Sequence, residues 1–257
     1  GIFISQRKYV LDLLQETDML GCKASAPPQE PNQKFGDDDG GEVVDRGRYQ
    51  RLVGKLIYLS RSRPDIAVAV SVVSQFMHAS HQIHFEAVMR ILKYLKSAPG
   101  KGLYFSKYDH LRVEAYTDAD WAGSVSDRRS TSGYCTFVGG NLVTWRSKKQ
   151  NVVARYSAEA EFRAMAQGVC ELLWSKLLLR DLGIDQTDSM RLYCDNKAAI
   201  NIAHNPVQHD RTKHVEIDLH FIKEKLTSGT ICTPFVQSGE QLADILTKGI
   251  GNKPFHD

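Results

Sequence analysis

The feature that most restricts the fold is a change of pattern near residue 108. Before it, apolar residues recur at helical spacing; after it, strand-like runs alternate with helical ones. Those strand-like runs fall at residues 113–117, 133–138, 142–146, 192–194 and 230–236, while one earlier run, 103–105, closes the helical part. Helical patterns follow at about 157–182, 197–203, 215–226 and 240–247. Three strands, one long helix, then strand and helix again predict an α/β domain over 109–257, a mixed sheet flanked by helices.

Residues 1–108 predict a mostly helical domain. Tyr9, Leu13, Leu14 and Met19 mark one helix over about 6–20, and Leu52, Val53, Leu56 and Ile57 the apolar face of a second. Pro64 stands at a first helical turn with Asp65 beside the positive end of the dipole. Phe85, Val88, Ile91, Leu92 and Leu95 face inward from a helix over about 81–97. A Pro-, Gly- and Asp-rich stretch at about 25–45 predicts a flexible loop, in which Asp37, Asp38 and Asp39 read as solvated acids.

Composition narrows the class. Cys22, Cys135, Cys170, Cys194 and Cys232 are odd in number and widely spaced, with no C-x-x-C pair. That excludes a disulfide framework and a zinc site, and predicts reduced thiols in an intracellular protein, cytoplasmic and/or nuclear. No apolar run reaches the ~18 residues of a membrane span, so no membrane partner is expected. The opening "GIFISQRKYV" lacks the apolar core of a signal peptide, and without a Met it reads as part of a longer polypeptide. The net charge of +3 permits a polyanionic partner without requiring one.

The chemistry gathers in four acids with apolar neighbours. Asp118 follows the run at 113–117, in "AYTDADWAG". Asp195 follows the run at 192–194 and precedes a helix. Glu161 lies in the first turns of the long helix, in "SAEAEFRAMA", and Asp244 in the last helix, in "EQLADILTK". In open α/β sheets, sites form outside the carboxyl ends of strands, so these acids could meet above one edge. Crowded carboxylates persist where cations or protons neutralise them, and hard oxygen ligands select Mg²⁺ or Mn²⁺. Each acid also has an ordinary explanation. Asp195 fits a helix N-cap, Glu161 can serve a helix dipole, and Asp244 can be solvated.

The wording of these segments adds specificity. "YTDADWAGSVSDRRSTSGYCTFVGGNLVTWRSKKQNVVARYSAEAEFRAMA", then "YCDNKAAINIAHNPVQHDRTKHVEIDLHFIKEKL" and "EQLADILTKGI", resemble in order the ribonuclease H domain of copia-type LTR retrotransposon Pol polyproteins. Upstream, "YQRLVGKLIYLSRSRPDIAVAVSVVSQFM" and "HFEAVMRILKYLKSAPGKGL" resemble the reverse transcriptase thumb and connection. The resemblance implies a ribonuclease H-like fold at 109–257 and a thumb/connection-like fragment at 1–108. It implies that Asp118, Glu161 (rather than Glu159), Asp195 and Asp244 bind two Mg²⁺ ions, with Mn²⁺ possible, and hydrolyse the RNA strand of an RNA–DNA hybrid. The implied partners are the hybrid and the upstream polymerase palm and fingers of the same polyprotein.

Two departures stand out. The segment before the last acid, "FVQSGEQLAD", carries no His, although His214 and His220 lie nearby, and Tyr156 stands where the family tends to have a small hydroxyl residue. The Tyr-x-Asp-Asp motif of the polymerase is absent from the sequence, so polymerisation is not expected. Phosphate contact is expected of Arg146, Lys148 and Lys149 beside Trp145, giving salt-sensitive, sequence-tolerant binding. Two other readings stay open: a retroelement remnant that binds nucleic acid or protein without cutting, and an integrase-like nuclease, which would want Glu as its last acid.

Overall fold

The computed structural model describes residues 1–30, 35–36, 41–204 and 213–248, so the run Asp37–Asp39 lies outside it, as does part of the expected loop at 25–45. The chain divides into two compact units. The first comprises Gly1–Phe105, with Ser124–Arg128 and Lys248; the second comprises Ser106–Gly123 and Arg129–Thr247. No helix of the described residues is long and apolar enough to cross a membrane.

In unit 1, β1 (Ile2–Ser5) pairs antiparallel with β2 (Gly102–Phe105), Ile2 opposite Phe105. The β1 strand was not apparent in the sequence, because its four residues are too few to show a period. Four helices build the core: α1 (Arg7–Glu16), α2 (Arg46–Leu59), α3 (Ala67–Ser74) and α4 (Gln82–Ser97). Leu13, Leu14, Leu52, Leu56, Val70, Ile91 and Leu95 are buried among them. Asp45 caps α2 by accepting from the Arg48 backbone N–H. Asp65 does more than face a helix dipole. It forms a buried ion pair with Arg63, Nη2 to Oδ2 at 2.8 Å and Nε to Oδ1 at 2.9 Å. The Tyr94 hydroxyl donates to the same carboxylate at 2.8 Å. Burial opposes ionisation of Asp65, but the hydrogen bond and charge of Arg63, helped by Lys101 and Tyr94, outweigh it and hold the carboxyl below its ordinary value.

Unit 2 is a five-stranded mixed sheet in the order β5-β4-β3-β6-β7. Its strands are β3 (Val113–Asp120), β4 (Thr131–Val138), β5 (Asn141–Lys149), β6 (Met190–Tyr193) and β7 (Ile231–Cys232). The first three pair antiparallel, while β6 runs parallel to both β3 and β7. The helices are α5 (Ser157–Asp181), α6 (Lys197–His204) and α7 (Lys213–Thr227). Phe162, Met165, Val169 and Leu172 of α5 form a core with Val113, Ala115 and Leu192 of the sheet. Gly168 lets the helix lie close. A Cβ there would stand 2.5 Å from Thr117 Cγ2 and 2.7 Å from a Leu192 methyl.

Three sequence expectations shift. The strand read as 113–117 runs on to Asp120, since Asp118 pairs with Gly133 and Asp120 with Thr131. The run at 230–236 gives only Ile231–Cys232 as strand plus a bridge from Cys194 to Phe235, because Pro234 lacks the N–H a continuous ladder needs. The last helix is two 3-10 turns, Ser238–Glu240 and Leu242–Leu246, separated by Gln241 in extended backbone.

Candidate active site

Asp118 lies near the carboxyl end of β3 and is buried. Asp195 follows β6. The parallel register sets Tyr116 beside Tyr193, and Asp118 and Asp195 each stand two residues further along. The ordinary explanation for Asp195 falls to its neighbour: Asn196 Oδ1 accepts from the Ala199 N–H at 3.0 Å and so caps α6. Asp195 instead accepts a hydrogen bond from Ser238 Oγ at 2.8 Å.

A neighbour also takes the dipole role proposed for Glu161. Glu159 occupies the first turn of α5, accepts from the Arg155 N–H at 2.7 Å and pairs with Arg163 at 2.8 Å. Glu161, two residues further along, is buried. Among the described residues, ligand atoms of Glu161, Cys194 and Asp195 all lie within 4.8 Å of one another. Asp118 and Asp244 stand outside that cluster, but Asp118 is close enough to act on Cys194. Burial pushes the Cys194 thiol up to about 12, and the charges of Glu161, then Asp195 and Asp118, push the same way. Asp244 is half-buried in the turn Leu242–Leu246.

Cys194 was noticed in the sequence only as a reduced thiol. Its place directly before Asp195 was the available signal. The donor set suits a hard cation: two carboxylates offer oxygens, and the thiol beside them stays protonated near neutral pH. All five cysteines are free.

The basic group separates by strand alternation. Opposite residues share a face, so Trp145, Ser147 and Lys149 lie on the face of Asp118 and Gly133, and Arg146 and Lys148 on the face of Tyr134. Arg146 and Lys148 are exposed and Lys149 is half-buried. Asp120 ends β3 with its carboxylate over Gly123, where a Cβ would collide with it. His220 is exposed on α7, and the side chain of His214 lies outside the described residues.

The strand order, the mixed directions and the acids at the ends of two adjoining parallel strands define a ribonuclease H-like unit. The chain is 42% identical over its whole length to a retrovirus-related Pol polyprotein from transposon RE1 of Arabidopsis thaliana, and covers 18% of it. It is 34% identical to that from transposon TNT 1-94 of Nicotiana tabacum, 99% of the chain aligning with 20% of the relative. It is thus similar to retrovirus-related Pol polyproteins of transposons over a segment that spans about a fifth of the length of these relatives. Among solved structures, 53% of the chain is similar to 94% of RNase H1 from the archaeon Halobacterium salinarum NRC-1, at 20% identity and a TM-score of 0.37. No protein-family model matches the chain.

Proposed function

We propose that unit 2 is a divalent-metal-dependent endonuclease that hydrolyses the RNA strand of an RNA–DNA hybrid, as part of a copia-type Pol polyprotein. The observation that carries this reading is the gathering of Glu161, Asp195 and the neutral Cys194 thiol within 4.8 Å of one another, with Asp118 acting on the same thiol. Like charges brought this close are tolerated when a cation neutralises them.

On this reading Asp118, Glu161, Asp195 and Asp244 hold two Mg²⁺ ions, which Mn²⁺ can replace. When bound, the ions supply an activated water and neutralise charge building on the phosphate. The carboxylates are presented by a sheet and a helix packed together, so little ordering is left to occur when substrate arrives. Arg146, Lys148 and Lys149 contact phosphates and fix the position of the hybrid without reading its sequence. Residues 1–108 act as the thumb/connection-like fragment next to the polymerase palm and fingers of the longer polyprotein. No polymerisation is assigned to this segment.

The test incubates the purified chain with a labelled hybrid and Mg²⁺ beside Asp195→Asn. The parent cuts the RNA strand, while the variant binds the hybrid and cuts about a thousandfold more slowly, near 4 kcal/mol of lost transition-state stabilisation. Equal binding with no cleavage by either protein would replace the enzyme with a non-cutting binding module.

A further inference from the structure

The turn Leu242–Leu246, which carries Asp244, is fastened to β3 on both sides. Before it, the buried Gln241 donates Nε2 to the carbonyl oxygen of Thr117 at 3.0 Å, while its Oε1 accepts from the Ala243 N–H at 3.2 Å. After it, the buried Thr247 donates its hydroxyl to Oδ2 of Asp118. Gly133, opposite Asp118 on β4, clears the floor. A Cβ there would stand 2.8 Å from both Leu246 Cβ and Thr247 Cγ2.

A threonine hydroxyl has one proton to give. Thr247 Oγ1 also lies 3.1 Å from the carbonyl oxygen of Asp244. That carbonyl already accepts from the Thr247 backbone N–H at 3.2 Å. A carboxylate is the stronger acceptor, so the hydroxyl proton belongs to Asp118. One side chain thereby joins the first acid to the turn that bears the last.

We infer that Thr247 is a positioning residue, whose hydroxyl sets the orientation of the Asp118 carboxylate and couples it to the turn bearing Asp244. Its consequence for catalysis rests on the nuclease reading above; its consequence for cation binding does not depend on cleavage. Filling space and donating a proton can be separated. Valine keeps the shape of threonine without the donor, and serine keeps the donor without the methyl.

The experiment compares the full chain with Thr247→Val and Thr247→Ser by Mn²⁺ titration followed by electron paramagnetic resonance, by hybrid cleavage, and by thermal melting. Loss of the donor is expected to weaken Mn²⁺ binding and lower kcat about 10–100-fold, the usual effect of removing a group that orients a ligand. The KM for hybrid stays near that of the parent, and Thr247→Ser recovers most of both losses. Mn²⁺ affinity in Thr247→Val equal to that of the parent overturns the inference, as does Thr247→Ser as impaired as Thr247→Val. If Thr247→Val does not melt cooperatively, Thr247→Ala is measured in its place against the same outcomes. If the parent cuts no hybrid, the nuclease reading falls, and the Mn²⁺ affinities alone decide the role of Thr247.

Discussion

Two buried groups of charge treat their acids in opposite ways. In unit 1, Asp65 accepts from two N–H groups along one edge of a guanidinium and from a tyrosine hydroxyl, so its charge is matched within the fold. In unit 2, Glu161 and Asp195 are drawn toward each other, with Asp118 in electrostatic reach of the same thiol. Matching a buried acid with Arg makes the fold depend on both partners, since losing one leaves the other buried and uncompensated. Crowding acids works against the fold and favours whatever cation enters. The difference separates a charge matched within the fold from one that, on the proposed reading, awaits a cation, although each includes a buried carboxylate beside a helix start or strand end.

The largest effect that would break this contrast is on catalysis. Glu161→Gln is expected to lower hybrid cleavage about a thousandfold while the melting temperature in the absence of divalent ions stays level or rises, because a like charge has been removed. A marked drop in that temperature would mean that Glu161 serves the fold as Asp65 does. Asp65→Ala should behave the other way. It leaves Arg63 buried without its carboxylate and is expected to destabilise unit 1 by about 3–5 kcal/mol in denaturant unfolding.

Acid sharpens the contrast further. Asp65 ionises below its ordinary value of 3.8 in the folded protein, so its stabilising contribution is present above about pH 4 and is lost as pH falls through the lowered value. Melting followed from pH 5 downward should show unit 1 weakening, and Asp65→Asn should flatten that dependence. An unchanged slope in the variant would remove Asp65 from the account.

The smallest effect concerns the basic strand. Hybrid binding is expected to weaken as salt rises, and Arg146→Ala and Lys148→Ala should each reduce the logarithmic salt slope by about one. Since these residues share the face of Tyr134 and Lys149 that of Asp118, a loss confined to Lys149→Ala would place the hybrid on the Asp118 face alone.

Much of the architecture was legible along the chain. The long apolar pattern from Ser157 onward, the alternating runs that became β3, β4 and β5, and the acids at strand ends all follow local periods of 3.6 or 2. The acids themselves were visible, but their ordinary roles could not be excluded from one dimension. Only the fold shows that Asn196 caps α6 and that Glu159 meets Arg155 and Arg163, which takes those roles away from Asp195 and Glu161. The basic run "WRSKK" looked like one patch, and strand alternation divides it between two faces. The last helix was misjudged because "EQLADILTK" has helical spacing, while the Gln241 side chain bonds to Thr117 across the sheet and interrupts it.

The sequence by itself determined the kinds of element, their order and the identity of the acids, because hydrophobic period and residue type are properties of neighbours in the chain. The tertiary structure decided which acids meet, which neighbour caps each helix and which hydroxyl reaches Asp118. Those outcomes depend on parallel register between β3 and β6 and on the close approaches that Gly133 and Gly168 allow. The contact between Thr247 and Asp118 joins residues more than a hundred positions apart, and no local pattern encodes it.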